Sequence, residues 1–137
     1  MRSVFADTSY YLALVNPQDQ SHAAACRWTA DFTGTSLTTA WVVAELANAM
    51  SQPANRPFFL SLLRDLQTDA RVTIVPPTEE LFRRGLDLYS RRPDKAWALT
   101  DCISFLVMED YGLKEAATLD HHFTQAGFDI LTPRFYG

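Results

Sequence analysis

Apolar residues fall along this chain in two spacings: short continuous runs, and longer stretches where they recur three and four positions apart. The first suits strands buried on both faces, the second amphipathic helices. Ser3 to Ala6 read as a short buried strand that ends at Asp7. Tyr10 to Val15 follow as a helical turn stopped at Asn16-Pro17, and His22 to Phe32 as a helix ending near Gly34. Ser36 to Thr39 read as the second strand. Thr39 then caps a helix from Ala40 to Met50, with Val42, Val43, Leu46, Ala49 and Met50 as its buried face.

Pro53 and Pro57 bracket a break before a helix that carries Phe58, Phe59, Leu62, Leu63 and Leu66. Val72 to Val75 make a third strand, closed by Pro76-Pro77. Thr78 caps the next helix, with Glu79 and Glu80 at its positive end and Leu81, Phe82, Leu86, Leu88 and Tyr89 along it. Arg91 to Asp94 read as a loop. Thr100 opens a helix that runs to Tyr111 and stops at Gly112. Ala116 to Leu119 form a fourth strand ending at Asp120, His121 to Ala126 a short helix, and Phe128 to Leu131 a last strand. Strands alternating with helices predict an α/β fold: a three-layer α/β/α sandwich with a central, mainly parallel sheet. Ligands of such folds bind beyond the carboxyl ends of the strands.

With 137 residues, 47% of them hydrophobic, and no repeat or linker, the expectation is one domain over residues 1–137. Cys26 and Cys102 have no metal-ligand spacing and read as reduced core residues of a cytoplasmic protein. The chain enters its first strand at once, leaving no room for a signal peptide, and no apolar run approaches the roughly 20 residues of a membrane span. A net charge of -4 argues against binding nucleic acid by bulk charge, though local clusters still provide a surface for it.

Asp7, Glu45, Asp101 and Asp120 change the picture. Each is the only formal charge in a long, mostly apolar stretch: between Arg2 and Asp19, Asp31 and Arg56, Lys95 and Glu109, and Glu115 and Asp129. An ionised acid in such a setting costs several kcal/mol unless a cation compensates it, and no lysine or arginine lies within these stretches. One shared divalent metal serves all four. Oxygen-only ligation suits Mg2+ or Mn2+, whereas zinc calls for histidine or cysteine. Such an ion clamps a phosphodiester and activates a water, so hydrolysis of a nucleic-acid backbone follows. Thr8, Ser9, Ser104 and Thr118 stand beside the acids in sequence and are expected to orient them by hydrogen bonds.

The segments Val4-Phe5-Ala6-Asp7-Thr8-Ser9, Thr39-Ala40-Trp41-Val42-Val43-Ala44-Glu45-Leu46, Leu99-Thr100-Asp101-Cys102-Ile103-Ser104-Phe105 and Ala117-Thr118-Leu119-Asp120-His121-His122-Phe123 resemble the four acidic motifs of the PIN-domain ribonucleases. They stand in the same order and span nearly the whole chain. The stretch from Asp94-Lys95 through Thr100-Asp101-Cys102 is similar to the VapC-type toxins of bacterial toxin–antitoxin pairs. The resemblance implies that Asp7, Glu45, Asp101 and Asp120 hold the metal in a magnesium-dependent endoribonuclease. It also implies a homodimer and a small antitoxin partner. A PIN-domain nuclease of RNA processing would share these acids; the other alternative is a non-catalytic PIN-fold binding module, which loss of an acid would suggest, and all four are present.

Other features carry lesser readings. His121 and His122 invite a metal or general-base role, but adjacent histidines at a helix start point apart and are more often solvated. Arg83, Arg84, Arg91, Arg92 and Lys95 gather five of the 12 basic residues; Arg91, Arg92 and Lys95 are candidate RNA contacts, with a solvated helix end as the alternative. Trp97 suits a packing staple better than a base-stacking platform. Phe58 and Phe59, with Leu62 and Leu66, suit core or a dimer face. Rival phosphoryl-transfer classes fit poorly. Haloacid-dehalogenase-like phosphatases need a second aspartate where Ser9 stands, and receiver domains need a lysine after a late strand, where Asp120 follows Leu119.

Overall fold

The computed structural model of the protein describes residues 2–131. Five strands, β1 (Ser3–Ala6), β2 (Thr35–Thr39), β3 (Val72–Val75), β4 (Glu115–Ala117) and β5 (Asp129–Ile130), form one sheet in the order β3-β2-β1-β4-β5. Every pairing is parallel, with Phe5 beside Leu37 on one flank and Ala116 on the other. This is the expected α/β sandwich, and its all-parallel sheet explains the unbroken apolar runs: Val4, Phe5 and Ala6 are all buried because both faces of β1 are covered.

Seven helices supply the cover: α1 (Thr8–Val15), α2 (His22–Asp31), α3 (Ala40–Ala49), α4 (Arg56–Thr68), α5 (Glu79–Arg91), α6 (Leu99–Asp110) and α7 (His122–Gln125). Contacts join α1 to α2, α3 and α4 on one face and α6 to α5 and α7 on the other, with α3 also touching α6. Right-handed crossovers require that division, since the chain moves outward from β1 to β3 and then returns past β1 to β4. The reversal makes β1 the switch point of the sheet. Asp7 follows it directly, where such folds place their ligands.

Two caps set the helices as their sequences predict: Thr39 accepts from the Val42 N–H at 3.2 Å, and Thr78 from the Leu81 N–H at 3.1 Å. Trp97 is a packed residue, edge-on to Phe105 with its indole N–H donating to Gln125 at 3.0 Å. Cys26 and Cys102 are free thiols, Cys102 fully buried and Cys26 half-buried.

The structure decides faces the sequence left open, and it corrects some ends. On α5 the buried face is Leu81 and Gly85, whereas Phe82, Leu86 and Tyr89 are exposed. Gly85 decides this, because α6 lies so close that a Cβ there would meet Ile103 Cγ1 at 2.4 Å. Arg91 belongs to α5 rather than to the following loop. On α4, Leu62 and Leu66 are core but Phe58 is 61% exposed. Helix α6 begins at Leu99, before Thr100, because the Asp101 carboxylate reaches back to the Ala98 N–H. Strand β4 ends at Ala117, not Leu119: the Thr118 hydroxyl turns to the carboxylate of Asp7, and the Leu119 N–H donates to Ser9 Oγ rather than to a neighbouring strand. Among the described residues no helix is long and apolar enough to cross a membrane.

Candidate active site

Asp7 is the deepest of the acids, 4% exposed at the end of β1. Its N–H continues the ladder to the Ala117 carbonyl at 3.1 Å, which fixes the backbone. The Thr118 hydroxyl donates to Oδ2 at 2.9 Å. Behind it Ser9 Oγ lies 3.1 Å from Thr118 Oγ1 and accepts the Leu119 N–H at 2.9 Å, so Thr118 is itself held from two sides. Among the described residues no basic side chain pairs with this carboxyl. Burial pushes its pKa up to about 7 from the ordinary 3.8; the hydrogen bonds from Thr8 and Thr118 oppose this, and the charges of Asp101 and Glu45 add to it.

Asp101 stands in the first turn of α6, where the helix dipole favours a carboxylate. Its Oδ2 accepts the Ala98 N–H at 3.1 Å and lies 3.0 Å from His122 Nδ1. Burial and then the charge of Asp120 raise its pKa, against the pull of His122 and Ala98. Asp120 follows β4 and is turned by two local bonds: its N–H donates to Thr118 Oγ1 at 3.0 Å, and its Oδ1 accepts the His122 N–H at 2.9 Å. Glu45, in the second turn of α3, is half-buried and receives a hydrogen bond from the Thr8 hydroxyl.

Three of the four hydroxyl side chains expected beside the acids are therefore in contact with them or with the residue that holds them. Ser104 is not; its hydroxyl donates to the Thr100 carbonyl at 2.8 Å within α6. The basic segment is largely spent on its own acids. Arg91 pairs with Asp87 at 2.9 Å, Arg84 with Asp110 at 2.7 Å, and Arg92 with Asp94 at 3.0 Å while lying over the Trp97 ring. Lys95 is half-buried beside them. His121 is exposed, as expected of a solvated histidine, but His122 is not its equivalent.

His122 Nδ1 lies 3.0 Å from Asp101 Oδ2 and 3.3 Å from Asp120 Oδ1, and one ligand atom from each of these three residues falls within 4.8 Å of the others. Only a weak signal for it stood in the sequence, the spacing of Asp120 and His122 two residues apart, because the contact with Asp101 spans 21 positions. Asp101, Asp120 and His122 could together hold a metal ion. A carboxyl as buried as Asp7, with like charges beside it and no basic partner, needs either a proton or a metal to settle it.

A profile of the PIN domain matches residues 4–129 of the chain. Across 131 residues, 95% of this chain and 98% of the relative, the sequence is 28% identical to the 23S rRNA-specific endonuclease VapC20 of Mycobacterium tuberculosis. The crystal structure of that VapC20, described as a sarcin-ricin loop cleaving toxin, matches with a TM-score of 0.82 at 24% identity, covering 91% of this chain and 95% of that one. VapBC2 of Rickettsia felis, solved bound to a promoter DNA fragment, matches with a TM-score of 0.66 at 14% identity over 94% and 97% of the two chains. With the profile running from the first strand to the last, the chain belongs to the PIN domain family.

Proposed function

We propose that this protein is a divalent-metal-dependent endoribonuclease, with Asp7, Glu45, Asp101 and Asp120 as the catalytic, metal-holding acids and Mg2+ or Mn2+ as the ion. The observation that carries the reading is the meeting of Asp101 with Asp120 and His122 from remote segments, beside a buried Asp7 on which the charges of Asp101 and Glu45 act. When bound, the cation supplies charge neutralisation at a phosphodiester and a more acidic water. The chain's own residues supply placement. Thr118 holds Asp7, Thr8 holds Glu45, the Ala98 N–H holds Asp101 and the His122 N–H holds Asp120, so each oxygen is aimed before substrate arrives. Arg91, Arg92 and Lys95 would meet the RNA backbone, the two arginines by exchanging Asp87 and Asp94 for phosphate.

We further propose that the chain is the toxin of a toxin–antitoxin pair acting in the cytoplasm as a homodimer. Similarity to VapC20, a 23S rRNA-specific endonuclease, over 95% of the chain supports an RNA substrate. The description of that VapC20 as a toxin supports the toxin reading, and with it an antitoxin partner. The test is cleavage of a mixed RNA pool by the purified chain. Wild type is expected to cut with Mg2+ or Mn2+ and to stop in EDTA, and Asp101→Asn to lose about a hundredfold or more in rate while keeping its fold. Full-rate cleavage by Asp101→Asn would end this reading.

A further inference from the structure

We infer that His122 is a direct nitrogen ligand of the cation held by Asp101 and Asp120, which biases the site from magnesium toward first-row transition ions. This rests on the reading of the acids as a metal centre and refines it. Two donors on adjacent corners of an octahedral ion, each at about 2.1–2.2 Å, lie about 3 Å apart. His122 Nδ1 stands 3.0 Å and 3.3 Å from oxygens of Asp101 and Asp120, so the three atoms already sit at ligand spacing.

Those oxygens are pinned. Asp101 Oδ2 accepts the Ala98 N–H at 3.1 Å and Asp120 Oδ1 accepts the His122 N–H at 2.9 Å. Each keeps a further lone pair for a cation. The ring is equally well placed, because the next residue, Phe123, is fully buried, with its centroid 5.0 Å from Phe105 and 6.0 Å from Phe5. A rigid core, not a loose loop, brings Nδ1 to the acids. Imidazole is a good donor to iron, zinc and other transition ions, whereas magnesium strongly favours oxygen and keeps its waters. An acid-only set shows a weaker bias of this kind. Adding one ring nitrogen strengthens it.

The experiment uses the full chain with Mn2+ alone, read by pulsed electron paramagnetic resonance and by titration calorimetry, with Mg2+ titrated in parallel. Nitrogen coupling to bound Mn2+ is expected in wild type and absent in His122→Ala and His122→Asn. Mn2+ affinity should fall about tenfold or more in both variants, with Mg2+ affinity changing far less. The Asn variant matters because its amide still donates to Asp101; if it restored Mn2+ affinity, His122 would be only a clamp and the inference would fall. Bound Mn2+ without nitrogen coupling would also overturn it while leaving the acid centre standing. Mn2+ binding undiminished by Asp101→Asn would instead remove the acid centre itself, and the inference with it. His122 is partly exposed, so neither variant opens a core cavity.

Discussion

Asp7 concentrates the electrostatic problem of this protein in one side chain. Burial holds its carboxyl near pKa 7 when the ordinary value is 3.8, which means the folded chain prefers it protonated. Because the folded pKa lies above the unfolded one, ionisation penalises folding: the penalty is absent below about pH 4, grows as pH rises, and is complete above about pH 7. A gap of that size corresponds to about 4 kcal/mol. Metal-free wild type should therefore lose stability between pH 5 and 8 relative to Asp7→Asn, whose amide keeps an oxygen for the Thr118 hydroxyl and never ionises. Urea unfolding in EDTA across that range checks this, and two parallel pH profiles would refute it. The sequence marked Asp7 as isolated, and its depth follows from the same apolar neighbours. His122 was harder to see, because its role depends on Asp101, 21 positions away, which no local pattern reports.

At the scale of elements, periodicity located the strands and helices of the described residues, left open some faces that other elements decide, and misplaced some ends. Nothing local in the α5 sequence says that Leu81 and Gly85 face the core rather than Phe82, Leu86 and Tyr89. The choice is made by α6, whose Ile103 fills the space a larger residue at Gly85 would need. Gly85→Ala tests this directly. By helix propensity alone the change would stabilise by about 1 kcal/mol. With Cβ 2.4 Å from Ile103 Cγ1, overpacking should win and destabilise by about 1–3 kcal/mol. Chemical denaturation of Gly85→Ala, and of Gly85→Ala combined with Ile103→Ala, should show a coupling that partly rescues the double variant. Simple additivity would mean that α5 and α6 do not press on each other there. The ends of β4 and α6 moved for a related reason: Thr118 and Asp101 spend their polar groups on the site, a tertiary demand that strand and helix rules omit.

Across the whole molecule, the centre exists only once the sheet is assembled. Asp7 follows β1, Glu45 rides on α3 after β2, Asp101 opens α6, and Asp120 follows β4, so an unfolded chain holds none of the set together. A cation that binds this centre must then bind the folded state almost exclusively. Linkage turns that into stability: at a free concentration one hundred times its dissociation constant, the ion contributes about 2.7 kcal/mol. The contribution must also grow with pH, because below about pH 7 the ion has to displace a proton from Asp7 and above it finds the carboxylate already ionised. Thermal unfolding with and without Mn2+ at pH 6 and pH 8 should show a rise of several degrees, larger at pH 8 and abolished by Asp101→Asn. A rise of equal size in Asp101→Asn would place the ion elsewhere on this acidic chain, and a rise independent of pH would mean that Asp7 takes no part in holding it.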